Sequence, residues 1–198
     1  MKKIKLLAIF VAATALSAPA FSIAQIGVQG NYVSDSFSGG TKPSGFGVGG
    51  FARFTVGIPM LVTFGFGPYV DYASISVSGG NAVTQFRVGG ELVAYADIIG
   101  NLIGLTPYGR FGWGYSGNSQ SVTIASVTAN TLYYGTGGHT LFGLSYKVIP
   151  MVYLFAEAGA QWSSLTASVP DSLKAYSSSF SDQTTSGWRV SLGAMLWL

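Results

Sequence analysis

From residue 25 onward, stretch after stretch of this chain alternates apolar side chains with small or polar ones, and the charges keep to the non-apolar phase. In Gln85–Asp97, Phe86, Val88, Gly90, Leu92, Ala94 and Ala96 share one face. Gln85, Arg87, Gly89, Glu91, Val93, Tyr95 and Asp97 share the other. A period of two sends successive side chains to opposite sides of a strand, so a strand patterned this way lies between two different media.

Composition identifies those media. The 198 residues are 48% hydrophobic with a mean hydropathy of +0.43, yet only 9% are charged. A soluble domain carries about 25% charged residues to keep its surface wetted. Past the N-terminus, no run approaches the roughly 18 apolar residues that a membrane helix needs. High hydropathy, few charges and period-two strands together require a sheet closed on itself, with lipid outside and the polar phase enclosed. The expected fold is all-β: a transmembrane antiparallel up-and-down β-barrel.

The N-terminus has a different pattern. Lys2, Lys3 and Lys5 precede the apolar stretch Leu6 to Leu16, and small residues follow at Ser17-Ala18-Pro19-Ala20 and Ser22-Ile23-Ala24. A basic start, a short apolar core and small residues at a cleavage point predict a cleaved secretory signal peptide over 1–24, with cleavage after Ala20 as the alternative. The barrel would then occupy 25–198. Losing those three lysines leaves seven basic against seven acidic residues. The pI of 9.1 is thus a property of the precursor and predicts no nucleic-acid partner. The chain has no cysteine, so neither a disulfide nor a lipidated cysteine is expected.

Eight strands are predicted: Gln25–Val33, Gly45–Val56, Leu61–Val77, Gln85–Asp97, Leu105–Ser116, Thr131–Lys147, Met151–Ser163 and Ser186–Leu198. Connections after the odd strands are long or polar. Those after the second and sixth are short and contain proline, and that after the fourth, Ile98–Gly104, is an apolar connection. This asymmetry predicts long outer loops, short periplasmic turns and both termini in the periplasm. The repeat Val48-Gly49-Gly50, Val88-Gly89-Gly90 and Thr136-Gly137-Gly138 is taken as an echo of barrel construction.

The leader, the strand count, the loop asymmetry and the alternating last strand Trp188-Arg189-Val190-Ser191-Leu192-Gly193-Ala194-Met195-Leu196-Trp197-Leu198 resemble the small eight-stranded OmpA/OmpX-type outer-membrane barrels of Gram-negative bacteria. The resemblance implies a place in the outer membrane among phospholipid and lipopolysaccharide. It also implies insertion by the barrel-assembly machinery, which would read the last strand through Trp188, Val190, Leu192, Leu196, Trp197 and Leu198. That family's last strand usually ends in Phe or Trp, and here Leu198 follows Trp197. No peptidoglycan-binding domain is expected, since the strand pattern runs to Leu198. Architecture of this kind leaves function open.

Candidate chemistry rests on the inward phase. Parity places Arg53, Arg87, Arg110 and Arg189 inside with Asp71, Glu91, Asp97 and Glu157. It leaves Lys42, Lys147, Lys174, Asp35, Asp171 and Asp182 to loops or strand ends. No charge falls on the lipid face, where a midplane Arg or Lys would cost about 2–4 kcal/mol. Glu91 and Arg110 are expected to be neighbours across the fourth and fifth strands. This network is either a candidate gate for ions or a permanent filling of a lumen only wide enough for side chains. His139, the one histidine, is expected inside as a hydrogen-bonding residue. There it would be unable to serve a lipid A-modifying triad on the outer face, and with no cysteine it makes a poor metal set. No cofactor is predicted. Tyr32, Tyr72, Trp113, Tyr115, Tyr134, Tyr146, Trp162 and Trp188 are expected to form interfacial girdles. The nearly uncharged outer loops leave an extracellular partner open. The expected role is structural or surface-interacting and non-enzymatic; a narrow channel is the alternative and a lipid A-modifying enzyme the third reading.

Overall fold

In a computed structural model, described for residues 23–37, 42–58, 61–76, 82–124 and 126–198, the alternation resolves into one closed antiparallel ring. Its strands are β1 (Ile23–Phe37), β2 (Ser44–Ile58), β3 (Val62–Ser76), β4 (Val83–Tyr95), β5 (Leu105–Ile124), β6 (Val127–Ile149), β7 (Val152–Ser168) and β8 (Gln183–Trp197). Each pairs with its neighbours in sequence, and β8 closes on β1. The leader lies outside the described residues apart from Ile23 and Ala24, which begin β1.

The register fixes the shape. Stepping across the ladder from Gly27 through Phe51, Tyr69, Gly89, Gly114, Gly137, Ser163 and Thr185, the path returns to β1 at Phe37, ten residues from its start. A stagger of that size over eight strands tilts them by about 40° from the barrel axis. At one end, the turn end, lie both ends of the ring and the connections after β2, β4 and β6. At the other, the loop end, lie the connections after β1, β3, β5 and β7.

Phase decides exposure throughout. Phe46, Val48, Phe54, Phe64, Phe66, Val70, Leu92, Phe142 and Leu192 stand exposed on the outer wall, and Gln25, Gln29, Asn31, Arg53 and Glu157 are buried inside. A wall of exposed Phe, Val and Leu is stable against hydrocarbon and would aggregate in water. Of the expected girdle, all but Tyr146 gather on the loop-end half. There Tyr32 meets Phe46 and Trp188 at ring-centroid distances of 5.2 and 5.3 Å, and Trp113 meets Trp162 at 6.5 Å.

Inside, glycine makes room for bulk. A Cβ on Gly27 would come within 2.2 Å of the Phe51 ring, and one on Gly112 within 2.3 Å of His139. Toward the turn end, Phe51, Tyr69, Val93, Tyr95, Tyr108, Phe155 and Met195 form an apolar cluster. Tyr153 and Trp197 pack against it.

Two expectations about connections change. β1 continues past Val33 to Phe37, and β5 and β6 extend past Ser116 and before Thr131 into a long hairpin. Beyond the girdle the outward residues become Ser34, Ser36, Ser119 and Thr166. Period two persists there, but both phases are polar and the hydropathy signal vanishes. The connection Ile98–Gly104 is mostly a short helix, α1 (Asp97–Ile103), ended by Gly104 in the left-handed region at φ 76°. A 3-10 segment, Asp171–Ser179, fills the connection after β7 and buries Leu173.

Candidate functional site

The lumen is crossed by two tiers of charge, each assembled from strands distant in sequence. In the loop-end tier, Arg189 on β8 grips Asp71 on β3 with both terminal nitrogens, Nη1 to Oδ2 at 2.6 Å and Nη2 to Oδ1 at 2.9 Å. Asp71 also accepts from Gln29 Nε2 at 3.1 Å and Asn31 Nδ2 at 3.3 Å, while Arg189 Nε donates to Ser191 Oγ at 3.0 Å. Bidentate charge-assisted pairing of this kind is strong and directional. Nearby, Arg87 Nη1 donates to Gln161 Oε1 at 2.6 Å. Its Nε and Nη2 have no hydrogen-bond partner among the described residues.

In the turn-end tier, Arg53 Nε donates to Glu91 Oε1 at 2.5 Å and Arg110 Nη2 to Glu157 Oε1 at 2.6 Å. Tyr95 receives a bond from Arg53 Nη1 at 2.9 Å, and Tyr108 donates to Glu157 Oε2 at 2.9 Å. The Arg53 guanidinium also lies 3.6 Å from the Phe51 ring centroid, a buried cation–π contact. Gln29 joins the tiers: its Nε2 donates to Asp71 while its Oε1 accepts from Arg110 at 3.3 Å.

Seven of the eight predicted lumenal charges belong to this array: Arg53, Asp71, Arg87, Glu91, Arg110, Glu157 and Arg189. The eighth, Asp97, does not. β4 ends at Tyr95, so Asp97 opens α1 at the turn end, where it accepts a bond from Thr63 Oγ1 at 2.6 Å. Burial raises its carboxyl above the ordinary value, and the Thr63 bond works against that rise.

Its place in the charge balance is taken by Asp35, which the sequence reading left in a loop. Because β1 continues to Phe37, Asp35 keeps the inward phase of Gln29 and Asn31. It accepts from Gln161 Nε2 at 2.6 Å and Gln85 Nε2 at 3.0 Å. Parity carried two residues past Val33 would have found it. Four arginines thus face four carboxylates inside.

Glu91 and Arg110 are neighbours, with Nη1 and Oε2 at 3.6 Å, but each has a shorter partner elsewhere. The reason is register: β4 and β5 set Glu91 opposite Gly112 and Arg110 opposite Val93, so the two charges meet diagonally. His139 points inward as expected. It packs through its ring, edge-on to Tyr69 at 4.9 Å, and neither ring nitrogen has a hydrogen-bond partner among the described residues. Its Nε2 lies 3.9 Å from Glu91 Oε2. Among the described residues no group of three His, Cys, Asp or Glu is arranged to hold a metal. Trp188, Val190, Leu192, Leu196 and Leu198 line the outer wall of β8 and its end, and Trp197 turns in against Tyr95 and Tyr153.

No family model and no curated protein matches this sequence. Solved structures do. Neisserial surface protein A is 20% identical over 88% of this chain and 97% of its own, with a TM-score of 0.56. A major outer membrane protein from Thermus thermophilus is 13% identical over 88% of this chain and 99% of its own, with a TM-score of 0.52. Likeness over nearly the whole of both chains, at identities this low, speaks for architecture alone. This chain has the fold of the small eight-stranded outer-membrane β-barrels.

Proposed function

We propose that this protein is a sealed barrel of the bacterial outer membrane with a structural or surface-interaction role. The observation that carries the reading is the lumen itself: Arg53, Arg87, Arg110, Arg189, Asp35, Asp71, Glu91 and Glu157 are each no more than 7% exposed and span the bore in two tiers. An eight-stranded interior is just wide enough to be filled by side chains, and these fill it with balanced charge. In this reading the loop end faces outward and the termini lie in the periplasm. Phospholipid and lipopolysaccharide surround the wall, and the assembly machinery engages β8. An extracellular partner would meet the β5–β6 hairpin beyond Gln120 and Leu132, where pairing to β4 and β7 stops. That tip is uncharged, so recognition there would rest on hydroxyl and amide groups. No catalytic role is assigned, since His139 is walled off from the lipid face where an acyl substrate would lie.

One observation favours a narrow channel as the second reading. Glu91 Oε2, Arg87 Nε and both His139 nitrogens lack hydrogen-bond partners among the described residues, so the network is not fully locked. Single-channel recording of the refolded mature barrel in planar bilayers, beside a Glu91→Gln variant, separates the two. Silence from both is the expected result. Discrete openings that the variant enlarges would overturn the sealed reading and identify the Arg/Glu tier as a gate.

A further inference from the structure

Helix α1 is built inside out for a helix in water. Its small residue faces the barrel: a Cβ on Gly100 would lie 2.1 Å from Thr106 Oγ1 on β5. Its large residues face away, with Leu102 79% and Ile103 64% exposed beside exposed Ile98 and Ile99. These four occupy positions i, i+1, i+4 and i+5, which share one side of an α-helix. The helix is held in this attitude by Ile98 N–H donating to the Leu61 carbonyl at 3.2 Å, Ala96 N–H to the Pro107 carbonyl at 2.8 Å, and the Gly104 cap.

The apolar side of α1 continues a larger surface. Leu61, Val148, Ile149, Met151 and Leu198 are all exposed at the same end. Among the described side chains the charges there are Asp97, held by Thr63, and Lys147, which keeps the inward phase of β6 with its Nζ 6.0 Å from the Tyr153 ring. The two ends of the wall therefore finish differently. At the loop end an aromatic girdle gives way to Ser and Thr, whereas at the turn end the apolar wall runs without a break onto the turns.

Length explains what covers it. From Tyr72 in the girdle to Val62 at the start of β3 is ten residues, or about 33 Å along the strand and about 25 Å along the axis at the tilt set by the stagger. That is the full height of a barrel's apolar band, about 25 Å. With the girdle at one boundary, the opposite boundary coincides with the turns and with α1.

We propose that α1, with the turns beside it, is an interfacial anchor seated in the headgroup boundary of the phospholipid leaflet at the turn end. Ile98, Ile99, Leu102 and Ile103 enter the acyl region. The helix fixes the depth of the barrel at an end where, among the described residues of the expected girdle, Tyr146 alone stands. The inference rests on the membrane-spanning fold and stands whether or not the lumen conducts.

The absence of cysteine makes the test direct. Single Leu102→Cys, Ile103→Cys, Leu192→Cys and Ser178→Cys proteins carry a nitroxide in phosphatidylethanolamine/phosphatidylglycerol vesicles. Collision with oxygen reports lipid, and collision with a nickel chelate reports water. Leu192 marks the apolar wall and Ser178 the exposed loop end. Labels at 102 and 103 are expected to be relaxed by oxygen and shielded from nickel, at a depth between the two references and at every protein-to-lipid ratio. Nickel access equal to that at Ser178 would overturn the proposal. So would shielding from both agents, or shielding only at high protein density, since these indicate a covering protein or a second barrel. Ile103→Cys reads the same side should Leu102→Cys fail to refold.

Discussion

The two tiers of the lumen hold the same kinds of charge but complete them differently. In the turn-end tier the arginines share their work with rings: Arg53 with Tyr95 and Phe51, and Arg110 with a glutamate that Tyr108 also holds. Aromatic hydroxyls can satisfy a buried ion pair while their ring faces fill space, so this end is both the apolar core and half of the charge array. The hydrogen bonds of the loop-end tier come from amides and arginines. Gln29, Asn31, Gln85 and Gln161 donate to Asp71 and Asp35, and Arg189 closes on Asp71 with every nitrogen engaged. Arg87, in the same tier, has a hydrogen-bond partner at one of its three nitrogens among the described residues. A barrel can therefore balance its lumenal charge overall and still distribute the stabilisation unevenly among its members.

That unevenness is sharpest between Arg189 and Arg87. Arg189→Ala leaves Asp71 buried without its cation, and breaking a buried pair from one side costs about 3–5 kcal/mol. The expected outcome is a large fall in the urea midpoint of the folded barrel in micelles, read by heat-modifiable gel migration. A loss under about 1 kcal/mol would mean that Gln29 and Asn31 alone satisfy Asp71, which is far less than an uncompensated buried carboxylate requires.

A packing change tests how the tiers are spaced. Gly112→Ala places a methyl group 2.3 Å from the His139 ring and drives it toward Tyr69 and Glu91. Overpacking a close-packed interior costs about 1–3 kcal/mol. The pair Gly112→Ala/His139→Ala should recover much of that loss, since the second change removes the ring that clashes. A double variant no better than the single one would place the strain in the β4–β5–β6 backbone instead.

Arg87→Met gives the contrast with Arg189. The variant loses one good hydrogen bond but also removes two buried nitrogens that have no hydrogen-bond partner among the described residues, and a flexible apolar side chain takes the volume. Asp35 keeps its bonds from Gln161 and Gln85, so the fall in urea midpoint should be smaller than the about 3–5 kcal/mol of breaking a buried pair from one side. A loss as large as that of Arg189→Ala would show that Arg87 is as firmly paired as its neighbour, through Asp35.

How far the sequence reaches is clear from individual residues. Phase alone placed Arg53, Glu91, Arg110, Glu157 and Arg189 inside, because alternation is a local property that two-sided burial enforces residue by residue. The same logic placed Val88 and Leu92 on the wall. Partners were less legible. Which carboxylate Arg53 meets depends on the stagger around the ring, and a shift of two residues exchanges one partner for another without altering any hydropathy pattern. Asp35 was missed where both phases turned polar beyond the girdle. Asp97 was misplaced because its alternation continues past the point where β4 ends, and only the positive φ of Gly104 and the packing of Gly100 reveal a helix there.

Asp97 supplies the finest test, being the acidic residue that parity assigned to the network and the fold excludes from it. Burial raises its carboxyl, so the fold favours the protonated form. The stability tied to that group is therefore present below the ordinary carboxylate range, near pH 4, and is lost as pH rises through the higher folded value. Asp97→Asn keeps an oxygen to accept from Thr63 and removes the charge. At neutral pH it should match or slightly exceed the parent in thermal stability, and the two curves should converge on acidification. Were Asp97 part of either tier, the same change would strip a carboxylate from an arginine. Stability would then fall at neutral pH and the gap would narrow at low pH from the other side. The sign of the difference at pH 7, measured by melting in micelles, thus decides whether four lumenal carboxylates or five hold the arginines.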